Sequence, residues 1–121
     1  MSKKILVVDD DAMNLRMAEF ILQKEGYEVG KASSGWACIE FLRNEKADLL
    51  LLDVEMPEMN GFQTLAVLKE ELEAQVPVVF LTASADDETV AQAKTLGAVG
   101  FVTKPFLPPV LLEAVAKAID A

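Results

Sequence analysis

Five short apolar runs punctuate this sequence, and each is followed by a stretch with helical periodicity. The runs are Ile5 to Val8, the more polar Tyr27 to Ala32, Asp48 to Leu52, Val78 to Leu81 after Pro77, and Val99 to Thr103. Apolar runs without strict alternation suit strands covered on both faces, since a strand with one wet face alternates polar and apolar residues. The segments between them space their apolar residues for one face of a helix. The first carries Leu15, Met17, Ala18, Ile21 and Leu22, the second Cys38, Phe41 and Leu42, and the third Phe62, Leu65 and Leu68. The fourth carries Val90, Ala93 and Leu96, and the last Leu111, Ala114, Val115 and Ala118. The punctuation agrees. Gly26 and Gly97 follow two of these stripes as stops. Ser33 or Ser34 can cap the second helix, and Ser84 or Asp86 the fourth. Pro108 and Pro109 open the last helix, where a missing N–H costs little.

A strand–helix pair repeated in this way has few solutions. Right-handed crossovers place helices on both faces of one parallel sheet. The predicted fold is therefore α/β, a flavodoxin-like (βα)5 doubly wound sandwich with strand order 2-1-3-4-5, forming one domain over residues 1–121. A hydrophobic content of 52% fills such a core and argues against disorder. In open sheets of this kind, ligands bind outside the carboxyl ends of the strands.

The composition removes several functions. With 11 basic and 20 acidic residues the net charge is −9, which disfavours direct nucleic-acid binding because no basic face can displace counterions. Histidine is absent, so His-based acid–base chemistry and the usual zinc ligands are excluded. Cys38 is the only cysteine and is expected to be a core thiol. The first apolar run is too short for a signal-peptide core or a membrane span, so a cytoplasmic protein without a membrane segment is expected.

The carboxyl ends of the expected strands carry the chemistry. Asp9, Asp10 and Asp11 follow the first, Asp53 the third, Thr82 the fourth, and Thr103, Lys104 and Pro105 the fifth. Single polar residues are ordinary at wet strand ends; the combination is not. Two carboxylates about 4 Å apart repel by roughly 4 kcal/mol at an effective dielectric of about 20. A cluster therefore needs protonation or a cation to offset its charge. Oxygen-only ligands favour a hard ion, Mg²⁺ or Mn²⁺. Carboxylate, metal, lysine and hydroxyl together form a set suited to phosphoryl transfer. Asp53 is then the nucleophile, Lys104 and the metal hold the new charge, and Thr82 donates to a phosphoryl oxygen.

The strings ILVVDDD, DLLLLDVEMPEMNG, PVVFLTA and FVTKPF occur in this order. Together they resemble the receiver domain of bacterial response regulators over essentially the whole chain. The resemblance implies that Asp53 is the phosphoacceptor. It also implies that Asp10 holds Mg²⁺ directly, Asp9 holds it through water, and the Glu55 backbone carbonyl is a further ligand. Thr82 corresponds to the switch hydroxyl, Phe101 to the aromatic switch residue and Lys104 to the phosphate-binding lysine. A cis Lys104–Pro105 bond is expected. The implied partners are a histidine kinase or histidine phosphotransfer protein, and a downstream protein or covalently attached output domain. A homodimer through the fourth helix, fifth strand and fifth helix is a further expected mode. Such a domain is a signalling module that assists its own phosphorylation and dephosphorylation, not an enzyme acting on others.

Several residues depart from the family pattern. Phe101 lacks the hydroxyl that a tyrosine would carry, and a plain buried aromatic is its alternative reading. Leu107 replaces a capping Asp or Ser before the last helix, a loss of about 1 kcal/mol, and is read equally as a surface or a contact residue. Trp36 is expected to pack at the start of the second helix, with a partner contact as its alternative reading. Met13, Met56 and Met59 are expected to pack in loops and helices, and Asp11 to cap the first helix. Glu55 and Ser84, two residues beyond Asp53 and Thr82, are expected to influence the phosphoryl lifetime. A competing function is a haloacid-dehalogenase-like Mg²⁺-dependent phosphatase reading Asp9 to Asp11 as its Asp-x-Asp string. A flavin or nucleotide module is disfavoured, because aspartates rather than a glycine-rich loop follow the first strand.

Overall fold

The computed structural model describes residues 2–72 and 76–120; Met1 and Ala121, the bounds of the expected domain, lie outside them. The elements alternate throughout. They are β1 (Lys4–Val8), α1 (Ala12–Lys24), β2 (Glu28–Ala32), α2 (Gly35–Asn44), β3 (Leu49–Asp53), α3 (Gly61–Glu71), β4 (Val78–Thr82), α4 (Asp87–Thr95), β5 (Gly100–Thr103) and α5 (Pro108–Asp120). The strands form one parallel sheet in the predicted order, β2-β1-β3-β4-β5.

Strand alternation splits each apolar run between two cores. Ile5, Val7, Leu49, Leu51, Val79 and Leu81 face α1 and α5. Leu6, Val8, Leu50, Leu52, Val78 and Phe80 face α2, α3 and α4. This double coverage is why the central runs show no polar positions. Phe62 of α3 meets Phe80 edge-to-face, with ring centroids 5.0 Å apart, and Cys38 lies in the same core as expected.

The helix starts are chemically defined. Of the candidate caps, the structure selects Ser34, which accepts from the Ala37 amide, and Asp86, which accepts from the Thr89 amide. Asn60 and Gln63 form a reciprocal capping box at α3. Leu107 precedes α5 as an exposed side chain.

Three expectations about large apolar residues are corrected. Trp36 does not pack at the helix start; it is 57% exposed, because the inner face of α2 is taken by Gly35, Cys38 and Ile39. Met17 is off the α1 stripe, since successive helical residues are turned by about 100° and Ala18 already faces the core. Met13 is also exposed, whereas Met56 is buried and Met59 packs against the same core.

The entry into α3 runs close against the backbone at the end of β3. A Cβ on Gly61 would collide with the Asp53 carbonyl oxygen and stand 3.0 Å from the Val54 Cα. Both are backbone atoms and cannot yield without moving β3. Gly61→Ala is expected to lower stability by about 2 kcal/mol, seen as a reduced urea midpoint with an unchanged slope.

Candidate functional site

Strand register assembles the site. Val8 pairs with Leu52 across β1 and β3, so the next residues, Asp9 and Asp53, emerge side by side. Asp53 pairs with Leu81 and Thr82 with Thr103, which brings Thr82 and the following Lys104 to the same edge. Asp9, Asp53 and Thr82 are buried.

The acidic group is compact. One carboxylate oxygen from each of Asp9, Asp10 and Asp53 lies within 4.8 Å of the others. Lys104 reaches in, its Nζ 2.9 Å from Asp53 Oδ1 and 3.4 Å from Asp9 Oδ2. Asp53 Oδ1 also accepts from the Glu55 amide at 3.2 Å. Asp9 Oδ1 accepts from the Asp11 amide at 2.9 Å, and its Oδ2 from Asn14 Nδ2 at 3.3 Å. Asp53 Oδ2 has no partner, and it is the single such buried side-chain oxygen or nitrogen among the described residues.

Three carboxylates face one ammonium, so negative charge is in excess. Burial pushes the Asp53 carboxyl up to about 7, reinforced by Asp9 and opposed by Lys104. Burial pulls the Lys104 ammonium down, but its hydrogen bond to Asp53 and the charges of Asp53 and Asp9 outweigh this and hold it above its ordinary value. An all-oxygen donor set with surplus negative charge and one unpartnered buried oxygen fits a small divalent cation.

Thr82 closes the far side. Its hydroxyl lies 2.6 Å from Glu55 Oε2 and 2.9 Å from the Ser84 carbonyl, and accepts from the Ser84 amide at 3.1 Å. The other Glu55 oxygen accepts from the Ala83 amide at 2.8 Å. The Lys104 amide bonds to the Thr82 carbonyl at 2.7 Å, and the Lys104–Pro105 peptide is cis as expected. Phe101 is not a buried aromatic: it is 41% exposed and lines a groove with Val99, Val110 and Lys117.

Asp11 stands apart from the cluster. It caps α1, with Oδ1 accepting from the Met13 amide at 2.8 Å and the Asn14 amide at 3.4 Å. Asp11→Ala is expected to cost about 1 kcal/mol, measurable by thermal unfolding. A carboxylate committed to its own helix is poorly placed as the second acid of an Asp-x-Asp phosphatase.

Comparison with known proteins agrees with this geometry. The sequence matches the response regulator receiver domain over residues 5–116. The chain belongs to this family. It is 34% identical over 118 residues to the chemotaxis protein CheY of Thermotoga maritima, covering 97% of this chain and 98% of that protein. It is 39% identical over 106 residues to the transcriptional regulatory protein CrdR of Helicobacter pylori, covering 88% of this chain but only 50% of that relative's length. The solved structure of Vibrio cholerae chemotaxis protein CheY4 superposes with a TM-score of 0.90 at 32% identity, covering 98% of this chain and 99% of that one. The chain is thus a two-component signalling receiver, and the phosphatase alternative finds no support. Among the described residues, no helix is long and apolar enough to cross a membrane.

Asp9, Asp10, Asp53, Thr82 and Lys104 all meet at this receiver's carboxyl edge. Sequence reasoning did not anticipate Asn14, the Ala83 amide or the contacts by which the Glu55 side chain reaches the end of β4. Asn14 could have been found as a polar residue in the first turn of the helix after the acidic run. The other two depend on a side-chain rotamer that spacing does not reveal.

Proposed function

We propose that Asp53 accepts a phosphoryl group from a phosphohistidine on a partner histidine kinase or histidine phosphotransfer protein. The observation that carries this reading is the Asp53 carboxylate itself. One oxygen is tethered by Lys104 and the Glu55 amide, while the other is buried and unpartnered. In the transfer, an Asp53 oxygen attacks phosphorus, the P–N bond breaks, the imidazole leaves with the electron pair, and an acyl phosphate remains. Lys104 steadies the oxygen left behind and the incoming phosphoryl oxygens.

Asp9, Asp10, Asp53 and the Glu55 carbonyl are the residues that would hold Mg²⁺ or Mn²⁺, with Asp9 acting through water. The ion, when bound, supplies positive charge that favours ionised Asp53 and screens the phosphoryl oxygens. Thr82 and Phe101 are the proposed switch pair. A new dianionic group draws the Thr82 hydroxyl, and the Phe101 ring, now half outside, turns inward. The surface of α4, β5 and α5 then changes shape for a downstream protein, an attached output domain or a second copy. The domain is proposed to assist both gain and loss of its own phosphoryl group. Incubation with acetyl phosphate and Mg²⁺ tests the acceptor: wild type should gain hydroxylamine-sensitive label, and Asp53→Asn none. Full labelling of Asp53→Asn would assign the acceptor elsewhere.

A further inference from the structure

We infer, resting on Asp53 as the acceptor, that the Glu55 side chain is an internal stand-in for the phosphoryl group. Its carboxylate holds donors at the end of β4 that an Asp53 phosphoryl group would use, and it must leave before they become free. Glu55 Oε2 takes the Thr82 hydroxyl at 2.6 Å and Oε1 takes the Ala83 amide at 2.8 Å. These are two hydrogen bonds to a charged acceptor, in a geometry that engages both oxygens.

The placement follows from the sheet. Asp53 is in register with Leu81, so Thr82 and Ala83 continue β4 beyond the acceptor at the same edge. Neighbouring strands lie about 4.8 Å apart, within reach of a group extended from Asp53. Glu55 is tied to the acceptor from its own backbone, its amide donating to Asp53 Oδ1. Its chain therefore crosses from the acceptor to the β4 donors. A phosphoryl group has three acceptor oxygens to satisfy. Lys104 stands on the Asp9 side of Asp53, and on the β4 side the donors are already taken by an anion.

The carboxylate belongs to an exposed residue, so it can swing away without unpacking the core. Glu55 is thereby a positioning residue that competes with the phosphoryl group: before transfer it holds the Thr82 hydroxyl and the Ala83 amide to itself and slows occupation of the site. Substitution of its side chain leaves its backbone carbonyl available to a metal.

The test uses the whole chain with Mg²⁺ and beryllium fluoride, a tetrahedral phosphoryl mimic, followed by amide NMR. Glu55→Ala should bind the mimic about tenfold more tightly than wild type. Labelling by acetyl phosphate, in which the P–O bond to the acetyl group breaks and acetate leaves, should accelerate by a similar factor. Before any addition, the Ala83 amide proton should lose the downfield shift of a carboxylate-bonded N–H. Glu55→Asp is the charge control, because it keeps the anion but is one methylene too short to span both donors. It should gain most of the same factor. Gain in Glu55→Ala but not in Glu55→Asp would mean general electrostatics and overturn the inference. An unmoved Ala83 resonance, or equal affinities in all variants, would also overturn it. Asp53→Asn separates the two levels: if it binds the mimic as wild type does, the acceptor reading fails; if it does not bind while Glu55→Ala equals wild type, only the role of Glu55 fails.

Discussion

Asp53→Asn is expected to abolish phosphoryl incorporation and, in metal-free protein, to raise stability. The first effect is all-or-none, because an amide oxygen cannot form the acyl phosphate. The second follows from the charge of the site. Asp53 is buried beside Asp9, and its carboxyl is pushed from 3.8 up to about 7. That displacement corresponds to about 4 kcal/mol against the ionised form in the folded state. Because the folded value is the raised one, the folded protein binds the proton more tightly than the unfolded chain. Its contribution is fully present below about pH 4 and is lost as pH rises through about 7. Above that, wild type carries the whole cost of a buried anion, while the asparagine carries none.

Part of the gain is offset by the lost charge on the Lys104 hydrogen bond, so a net stabilisation of about 2 kcal/mol at pH 8 is expected. It should shrink steadily between pH 7 and pH 4. Urea unfolding in chelator across this range measures it. Adding Mg²⁺ should stabilise wild type more than the variant, since binding to the folded state alone adds stability by mass action and Asp53 is one of the proposed ligands. A variant no more stable than wild type at pH 8 would mean that the carboxylate is better compensated than its burial implies.

The same balance explains which parts of this molecule were legible in its sequence. Strand content was plain in Leu49 to Leu52, because a strand covered on both faces has no polar positions to interrupt it. Site position followed from topology: once five parallel strands are ordered, Asp9, Asp53, Thr82 and Lys104 have one edge to share. Side-chain direction was less legible. Met17 and Trp36 carry core-like side chains, and a rotation of about 100° per residue decides whether they face in or out. The expected switch residue Phe101 stands half outside on β5, the strand at one edge of the sheet. Glu55 is legible as a backbone carbonyl and as a charge two residues beyond the acceptor, but the contacts of its carboxylate are not. Those depend on a rotamer crossing from β3 to β4, which no spacing rule encodes. Asn60 and Gln63 are the opposite case: the residue types at Ncap and N3 are by themselves enough to specify the capping box.

Lys104→Ala is expected to be the most destabilising substitution at the site. Lys104 contributes the sole ammonium that contacts Asp53 and Asp9 among the described residues, at 2.9 and 3.4 Å. Its side chain is only 16% exposed, and both carboxylates are fully buried. Removing one partner of a buried ion pair leaves uncompensated charge, a loss of about 3–5 kcal/mol; water entering the vacated space brings the expectation to about 3 kcal/mol at pH 8. The pH dependence distinguishes this from a packing defect. Without the ammonium, the Asp53 carboxyl should rise further above its wild-type value of about 7, since the lysine was the influence lowering it. The variant then takes up a proton at a higher pH than wild type does, and protonation removes the repulsion with Asp9. Destabilisation should be largest at high pH, still evident at pH 8, and fade as pH falls through about 7, because a neutral Asp53 no longer needs a cation. Lys104's own raised value adds nothing in this window: its stabilising charge is fully present below the unfolded value of 10.5 and is lost only as pH rises through the folded value above that. A packing defect from the lost aliphatic stem would instead persist at every pH. Mg²⁺ should restore part of the loss at pH 8 in Lys104→Ala, while the double variant Asp53→Asn/Lys104→Ala should recover stability without metal. Equal destabilisation at pH 5 and pH 8, with no recovery in the double variant, would assign Lys104 a packing role in place of the electrostatic one.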